Sequence, residues 1–490
     1  MTERFEVAVL GAGFGGLAVA HRLAQDGIDD VVLFERDDGV GGTWRANSYP
    51  GAACDVPSHL YSLSFAPNPN WSRAYATQPE ILAYLEDCYD RFDVRRKVRP
   101  HTEIVAATWS DADASWHLRD RAGNTYQASV VVSAIGMFNT PTIPAIPGAD
   151  EFAGTQFHTA RWDHDHDLSG RRIAVVGTGA SAIQVVPAVV DRVDHVDVYQ
   201  RTAPWILPRK NEPYTAEQKG TFAARPELAA RHRQELHDLF EQTTVFVAGD
   251  PSVELIAGIA RGYLEHKVAD PELRAKLAPG QPFGCQRILI SSNYYPAVQR
   301  DHVDLVTVGI ERITPTGIRA ADGVERPVDT IVWSTGFRAS EYLRGIDVVG
   351  RDGANLHERW SGVPRAYHGI CVPGFPNFFM LYGPNTNQGG NSILLILEAQ
   401  SQFVAGALEL RREVGASSVE VSTDAMARYA HDLERDLAGT VWAGECSSYF
   451  HNAAGDIVTQ LPHTASWYRD ATAAIDQADF TFGGARCTTS

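Results

Sequence analysis

Two stretches of the chain carry the same hydrophobic and polar pattern. Residues 5–10 form a short, nearly uninterrupted apolar run, as expected of a strand buried on both faces. It leads directly into Gly11-Ala-Gly13-Phe-Gly-Gly16, and residues 17–25 then place apolar side chains at helical spacing. A second apolar run, residues 31–34, ends on Glu35. The order repeats from Arg172. Residues 172–176 are apolar after the arginine, Gly177-Thr178-Gly179-Ala180-Ser181-Ala182 makes the turn, and a helix starting near Ile183 is limited by Pro187. A strand over 196–199 then runs into Gln200-Arg201-Thr202. The pattern predicts an α/β fold with two Rossmann-like dinucleotide-binding domains.

The remaining pattern places these units in a larger chain. Thr77 and Pro79 mark the start of an amphipathic helix, as N-cap and first-turn residues. Residues 130–136 read as the last strand of the first unit. From 215 to 280 the strand–helix alternation stops, and apolar residues at helical spacing (231–240, 253–264) predict a helical insertion. Further strands are expected near 287–290, 329–337 and 373–383, followed by a polar, glycine-rich loop over 385–392 and a helix over 393–410. The N-terminus of that helix is suited to stabilising negative charge. The expected organisation is a first nucleotide domain in 1–150 and 336–490, a second in 151–214 and 281–335, and the insertion in 215–280.

The turns carry the chemistry. Gly11 permits the tight turn, Gly13 lets backbone approach a pyrophosphate, and Gly16 lets the helix pack on the strand. Glu35 follows Gly16 by nineteen residues, close to the ~20 at which an acid meets ribose hydroxyls and repels a 2′-phosphate. The first site therefore favours FAD or NAD. Arg201 stands at the same spacing after Ala182 with the opposite charge, which favours a 2′-phosphate and hence NADPH.

Composition narrows the class. The 490 residues are 44% hydrophobic and 21% charged, with a net charge of −17, which argues against nucleic-acid or anionic-membrane partners. No apolar run is long enough to suggest a membrane span, for which about 18 residues are needed. No secretory signal pattern opens the chain, and a cytoplasmic protein is expected. Cys54, Cys88, Cys285, Cys371, Cys446 and Cys487 are scattered without CxxC or metal-ligand spacing, so neither a disulfide framework nor a metal is expected. Asp55 lies among residues that read as buried and needs a partner, either a turn it caps or a cation it orients. Arg287, beside an apolar run, is poorly placed to stand unpaired.

Several motifs together carry a family resemblance. Gly39-Val-Gly-Gly42-Thr43-Trp44 is similar to the extension found in FAD-binding oxidoreductases, which turns the first site from NAD to FAD. Phe152-x-Gly154-x-x-x-His158-x-x-x-Trp162-Asp163 resembles the fingerprint of type I Baeyer–Villiger monooxygenases, and it falls just ahead of the second glycine turn. The loop from Tyr49 to Asp55, the Gly177 turn, Gln200-Arg201-Thr202, Thr335-Gly336-Phe337 and the stretch from Cys446 to Tyr449 extend the likeness over nearly the whole chain. The resemblance implies an enzyme that uses NADPH, FAD and O2 to insert one oxygen beside a ketone carbonyl through a flavin C4a-peroxide, giving an ester or lactone. It implies Arg287 and Asp55 as the catalytic pair and places Tyr61 and Asn387 among the cofactor-binding residues. His158 and Trp162 are read as positioning the cofactor or joining the two domains, away from substrate. The implied partners are a small ketone and O2, with the enzyme a monomer or homodimer. The alternatives are a related monooxygenase acting on nitrogen or sulfur, and a flavoprotein that only binds its cofactor. Two positions depart from the pattern. Gln286 stands where the family commonly has a lysine for the 2′-phosphate. Leu461-Pro462-His463 stands where Trp-Pro-Gly is common, in a loop that lines the substrate cavity of relatives.

Overall fold

The structure is a computed structural model that describes residues 2–242 and 246–485. Cys487, the end of the 336–490 segment and residues 243–245 of the expected insertion lie outside the described residues.

The first apolar run forms the strand Glu3–Leu10, the centre of an eight-stranded sheet. It pairs in parallel with Val31–Phe34 on one side and Thr125–Ser133 on the other. Alternate residues serve opposite cores. Val7 and Val9 pack with the helices Phe14–Gln25 and Gln78–Arg91, while Ala8 and Leu10 pack with Trp116, Phe378 and Met380. Val7 to Leu10, buried on both faces of the sheet, are therefore apolar at every position. The antiparallel strands Ile104–Ser110 and Ser115–Asp120 extend the sheet beyond Thr125–Ser133. The late strands Phe378–Met380 and Asp347–Val349 return to this same sheet.

The second sheet has five strands, all parallel, in the order Val303–Val306, His195–Tyr199, Arg172–Val176, Thr330–Trp333, Thr155–His158. The helix Ala182–Val189 follows the second glycine turn and holds Pro187 inside its eight residues. The fingerprint segment supplies the edge strand Thr155–His158 and the short 3₁₀ turn Thr159–Arg161. It is part of the second sheet rather than a free connector. Between 216 and 277 the described residues form the helices Ala216–Ala224, Pro226–Glu241, Pro251–Lys267 and Pro271–Leu277.

Three details differ from the sequence reading. Thr77 stands at the N-cap of Gln78–Arg91, but its side chain makes no capping bond. The late helix runs three residues further than expected, over Ile393–Glu413. That helix is long and apolar enough to cross a membrane by length and composition, with a window of mean hydropathy 1.4. However, 61% of the window is buried inside the protein, where it packs on Phe14–Gln25, so its apolarity is accounted for by the core.

Candidate active site

A single cavity of about 1200 Å³ runs from the first glycine turn to the second. It exceeds the ~300–1,000 Å³ usual for one small ligand. Gly11 and Gly177 hold equivalent turn positions, with φ of +104° and +112°. A Cβ on Gly11 would come within 2.7 Å of the Ala134 carbonyl oxygen, and one on Gly177 would strike that of Ser334. At each turn the chain must therefore bend where only glycine fits. Gly13 faces the Cα of Gly42, and a Cβ there would sit 3.6 Å from it, so the first turn and the Gly42-Thr43-Trp44 segment close on the same space.

Glu35 is 5% exposed at the end of Val31–Phe34 and lines the cavity. Its Oε2 accepts from the Ala12 N–H at 2.8 Å and its Oε1 from Asp37 at 2.9 Å. Each oxygen keeps a lone pair for a ribose hydroxyl. The Trp44 indole donates to the Tyr61 hydroxyl at 2.9 Å, and Tyr61 packs edge-on against Phe14. Asn387 accepts from the Tyr382 hydroxyl at 2.6 Å, and its amide donates to Gln460. Gly42, Thr43, Trp44, Tyr61 and Asn387 all line the cavity.

At the second turn Thr178, Gly179, Ala180 and Ser181 line the cavity, and the Thr178 hydroxyl donates to the Thr202 carbonyl at 3.0 Å. Arg201 is exposed into it and makes no ion pair among the described residues. Gln200 lines the cavity as well, and its side-chain amide donates to the Lys276 carbonyl at 2.6 Å, which ties the strand end to the helix Pro271–Leu277. A second guanidinium, Arg161, also lines the cavity and, among the described residues, donates to its neighbour's carbonyl at 2.8 Å and makes no ion pair. Nothing in the local sequence marked it, since the fingerprint draws attention to His158 and Trp162.

Asp55 and Arg287 meet in the lining of this cavity. Arg287 Nε donates to Asp55 Oδ2 at 2.8 Å, and an Nη donates to the same oxygen at 2.6 Å. The side chains are 30% and 26% exposed, so Asp55 is a cavity residue rather than a buried one. The Asp55 carboxylate holds the Arg287 guanidinium well above its ordinary value, outweighing the opposing effect of burial. Arg287 therefore stays charged throughout the accessible pH range. The phenols of Tyr449 and Tyr382 are held above their ordinary range by burial and lie within electrostatic reach of Arg287.

Two residues missed in the sequence set the Asp55 loop in place. Gln184, on the helix after the second turn, accepts from the Tyr49 hydroxyl at 3.0 Å and donates to the Ala53 carbonyl at 3.0 Å. Arg209 donates to the Cys54 carbonyl at 2.9 Å and lies over the Tyr75 ring. The loop that carries Asp55 is thus fastened to the second nucleotide unit. Gln184→Ala is expected to lower oxygenation several-fold while leaving flavin content unchanged, a split that paired rate and absorbance measurements would read.

The fingerprint residues do not line the cavity. His158 is 2% exposed, pairs in register with Trp333, and accepts from the Ala160 N–H at 3.0 Å. Its ring packs on Phe337, so it supports the Gly336-Phe337 segment, which does line the cavity. Trp162 packs edge-on against Phe157, Phe152 belongs to a core with Val176, Ile313, Ile318 and Trp333, and Asp163 closes a turn by accepting from Asp165. At Gly154 a Cβ would strike the Asp329 carbonyl oxygen.

Burial lowers the imidazoles of His59, His158 and His368 to about 4. Each binds a proton in the unfolded chain near pH 6.5 but not in the folded one until about pH 4. Stability that is complete above pH 6.5 is therefore lost as pH falls through that window. Tm is expected to drop by several degrees between pH 7 and pH 4.5, and a flat profile would contradict the neutral assignments.

The cysteine expectation is corrected here. Cys285 and Cys446 are bonded to one another, 161 residues apart in sequence with Cα atoms 5.4 Å apart, while Cys54, Cys88 and Cys371 are free.

Residues 8–230 match the pyridine nucleotide-disulphide oxidoreductase family. A Baeyer–Villiger monooxygenase of Pseudomonas aeruginosa is 43% identical over 479 residues, covering 97% of this chain and 91% of that protein. One of Streptomyces coelicolor is 41% identical over 481 residues, covering 98% and 92%. Among solved structures, NADP⁺-bound cyclohexanone monooxygenase from Rhodococcus sp. Phi1 superposes with a TM-score of 0.89 at 29% identity, covering 99% of this chain and 100% of that one. The two glycine turns, the shared cavity and the full-length similarity agree, and the chain belongs to the Baeyer–Villiger monooxygenases as an FAD- and NADPH-dependent enzyme.

Proposed function

We propose that Arg287, held by Asp55, is the residue that stabilises developing negative charge during ketone oxygenation. The observation that carries this is the ion pair itself. It lines the cavity, and Asp55 takes up only part of the Arg287 donor set. Bound NADPH supplies hydride, and bound FAD supplies the oxygen chemistry. The Gly11–Gly16 turn, Glu35 and the Thr43–Trp44 segment hold the FAD. The Gly177–Ser181 turn, Arg201 and Thr202 hold the NADPH. Arg287 presents its remaining N–H donors to the oxyanion that forms on the ketone carbonyl, in a cavity that Tyr382 and Tyr449 also line. Asp55 fixes the guanidinium in place, so no reorganisation is needed as charge develops.

The corresponding organisation assigns 1–150 and 336–490 to FAD, 151–214 and 281–335 to NADPH, and 215–280 to a helical insertion. The enzyme is proposed to be cytoplasmic and monomeric or homodimeric, and its net charge of −17 argues against nucleic-acid or anionic-membrane partners. The substrate is a small ketone. Cyclohexanone, the ketone in the name of the superposed enzyme, is the first probe, within a panel scored by mass for a product that gains one oxygen. NADPH consumed with thioethers or amines alone, and with no ketone, would overturn the assignment.

Arg201 is proposed to bind the 2′-phosphate in spite of Gln286, whose amide donates instead to the Ser447 carbonyl at 3.1 Å. Arg201→Ala is expected to raise the KM for NADPH about 10- to 100-fold, in line with the loss of one charge-assisted hydrogen bond to phosphate, and to leave that for NADH unchanged. Equal KM values for the two nucleotides in the unaltered enzyme would refute this.

A further inference from the structure

We propose that Cys285 and Cys446 are a thiol–disulfide couple, a site of peroxide oxidation that locks the C-terminal loop onto the segment carrying Arg287. The two sulfurs are bonded in the structure, and the Cα separation of 5.4 Å lies within the 4.4–6.8 Å that a disulfide spans. What makes the pair functional is where it sits. Cys285 is two residues before Arg287, and Cys446 is three residues before Tyr449, whose ring lines the same cavity. Without the bond, the two segments are tied by hydrogen bonds on either side of it. The Trp442 indole donates to the Gly284 carbonyl at 3.0 Å, and the Gln286 amide donates to the Ser447 carbonyl at 3.1 Å. Such contacts open and close, whereas a covalent bridge between them does not. The inference rests on the proposed role of Arg287 for its effect on turnover, but not for the chemistry of the couple.

The burial of the two sulfurs sets the order of events. Cys285 is fully buried, while Cys446 is partly exposed on its loop, so an oxidant reaches Cys446 first. The oxidant is hydrogen peroxide, which reduced flavin and O2 generate whenever no ketone is consumed. The Cys446 thiolate attacks one peroxide oxygen, the O–O bond breaks, and hydroxide leaves, giving a sulfenic acid. The Cys285 thiolate then attacks the Cys446 sulfur and expels a second hydroxide, forming the disulfide. Two thiols lose two electrons and two protons, and the peroxide is reduced to two waters. A dithiol reductant reverses the sequence. Turnover without substrate would thereby restrain the enzyme that produces the peroxide. The bond also qualifies the expectation of a permanently reducing surrounding, since a reversible couple works only where both states are reached.

The test uses the full-length, FAD-loaded enzyme. It is reduced with dithiothreitol, freed of reductant and divided. One half is treated with hydrogen peroxide, and both are alkylated and digested with trypsin without reduction. The expected product is a linked peptide joining 277–287 to 436–469, seen only in the oxidised half. Ketone-dependent NADPH consumption in that half should fall at least threefold and recover with dithiothreitol. Cys446→Ser should lose both the linked peptide and the reversible loss of rate, and Cys285→Ala serves as a second variant. Absence of the linked peptide overturns the couple. A linked peptide with unchanged turnover, or a reversible loss that persists in both variants, overturns its effect on the enzyme. The peptide is read by mass, so its appearance is independent of whether Arg287 acts as proposed.

Discussion

Arg287→Ala is expected to lower ketone oxygenation by about 10²–10³-fold, the range found when one preorganised oxyanion donor is removed from an enclosed site. Hydride transfer from NADPH should stay within a few-fold of normal, because the residues proposed to hold NADPH lie at the Gly177 turn and around Arg201. The two steps separate in a stopped-flow experiment. Loss of oxidised-flavin absorbance under anaerobic NADPH reports the first, and ester formation in air reports the second. The size of the effect follows from the pair's geometry. Asp55 accepts two hydrogen bonds from Arg287 on one oxygen, so the guanidinium is held in position in the cavity lining with donors to spare. Arg287→Lys keeps the charge but loses the fork, and should recover only part of the rate. Asp55→Ala leaves the charge but frees the side chain to turn, and should lie between the two. Ester formation at an unchanged rate in Arg287→Ala would refute the assignment.

The legibility of this site in the sequence depended on how local each feature is. The two glycine turns were readable because strand, turn, helix and terminal charge lie within about thirty consecutive residues, and each obeys its own steric rule. The apolar runs likewise gave the parallel centre of both sheets, since burial on two faces leaves few polar positions, Asp197 in His195–Tyr199 being one. The Asp55–Arg287 pair spans 232 residues. Residue chemistry showed only that each needed a partner, and the family resemblance was required to name that partner. Gln184 was invisible because a glutamine on a helix is ordinary, and its role comes from the Tyr49 loop that docks on it. Gln200 has a second tie that its motif did not indicate, a hydrogen bond from its amide to the Lys276 carbonyl of a distant helix. The cysteines were misread for the same reason, because spacing along the chain carries no information about a pair formed by loop packing 161 residues apart.

Gly16→Val is expected to yield protein with less than about a tenth of the normal flavin and a clearly lowered Tm. Gly13→Ala, three residues earlier, is expected to lose flavin affinity with the Tm of the flavin-free protein unchanged. The contrast comes from what each added Cβ meets. At Gly16 it would strike the Gly11 carbonyl oxygen and lie 3.2 Å from the carbonyl carbon, with Leu33 at 3.3 Å behind it. Those are backbone atoms of the turn itself, whose own N–H is fixed to the Phe34 carbonyl at 2.8 Å. The collision cannot be relieved by a rotamer change, and the helix must move off the strand. Overpacking of an interior costs about 1–3 kcal/mol where side chains can give way, and the cost lies at or above the top of that range when the opposing atom is backbone. The same movement withdraws the helix N-terminus from the place where a pyrophosphate is bound. At Gly13 the added Cβ makes only an ordinary 3.6 Å contact with Gly42, so the fold is undisturbed. It does occupy the space through which backbone approaches phosphate. Flavin content by absorbance after denaturation and Tm of the stripped proteins separate the two cases. A yellow, stable Gly16→Val protein would show that helix and turn are not packed as described.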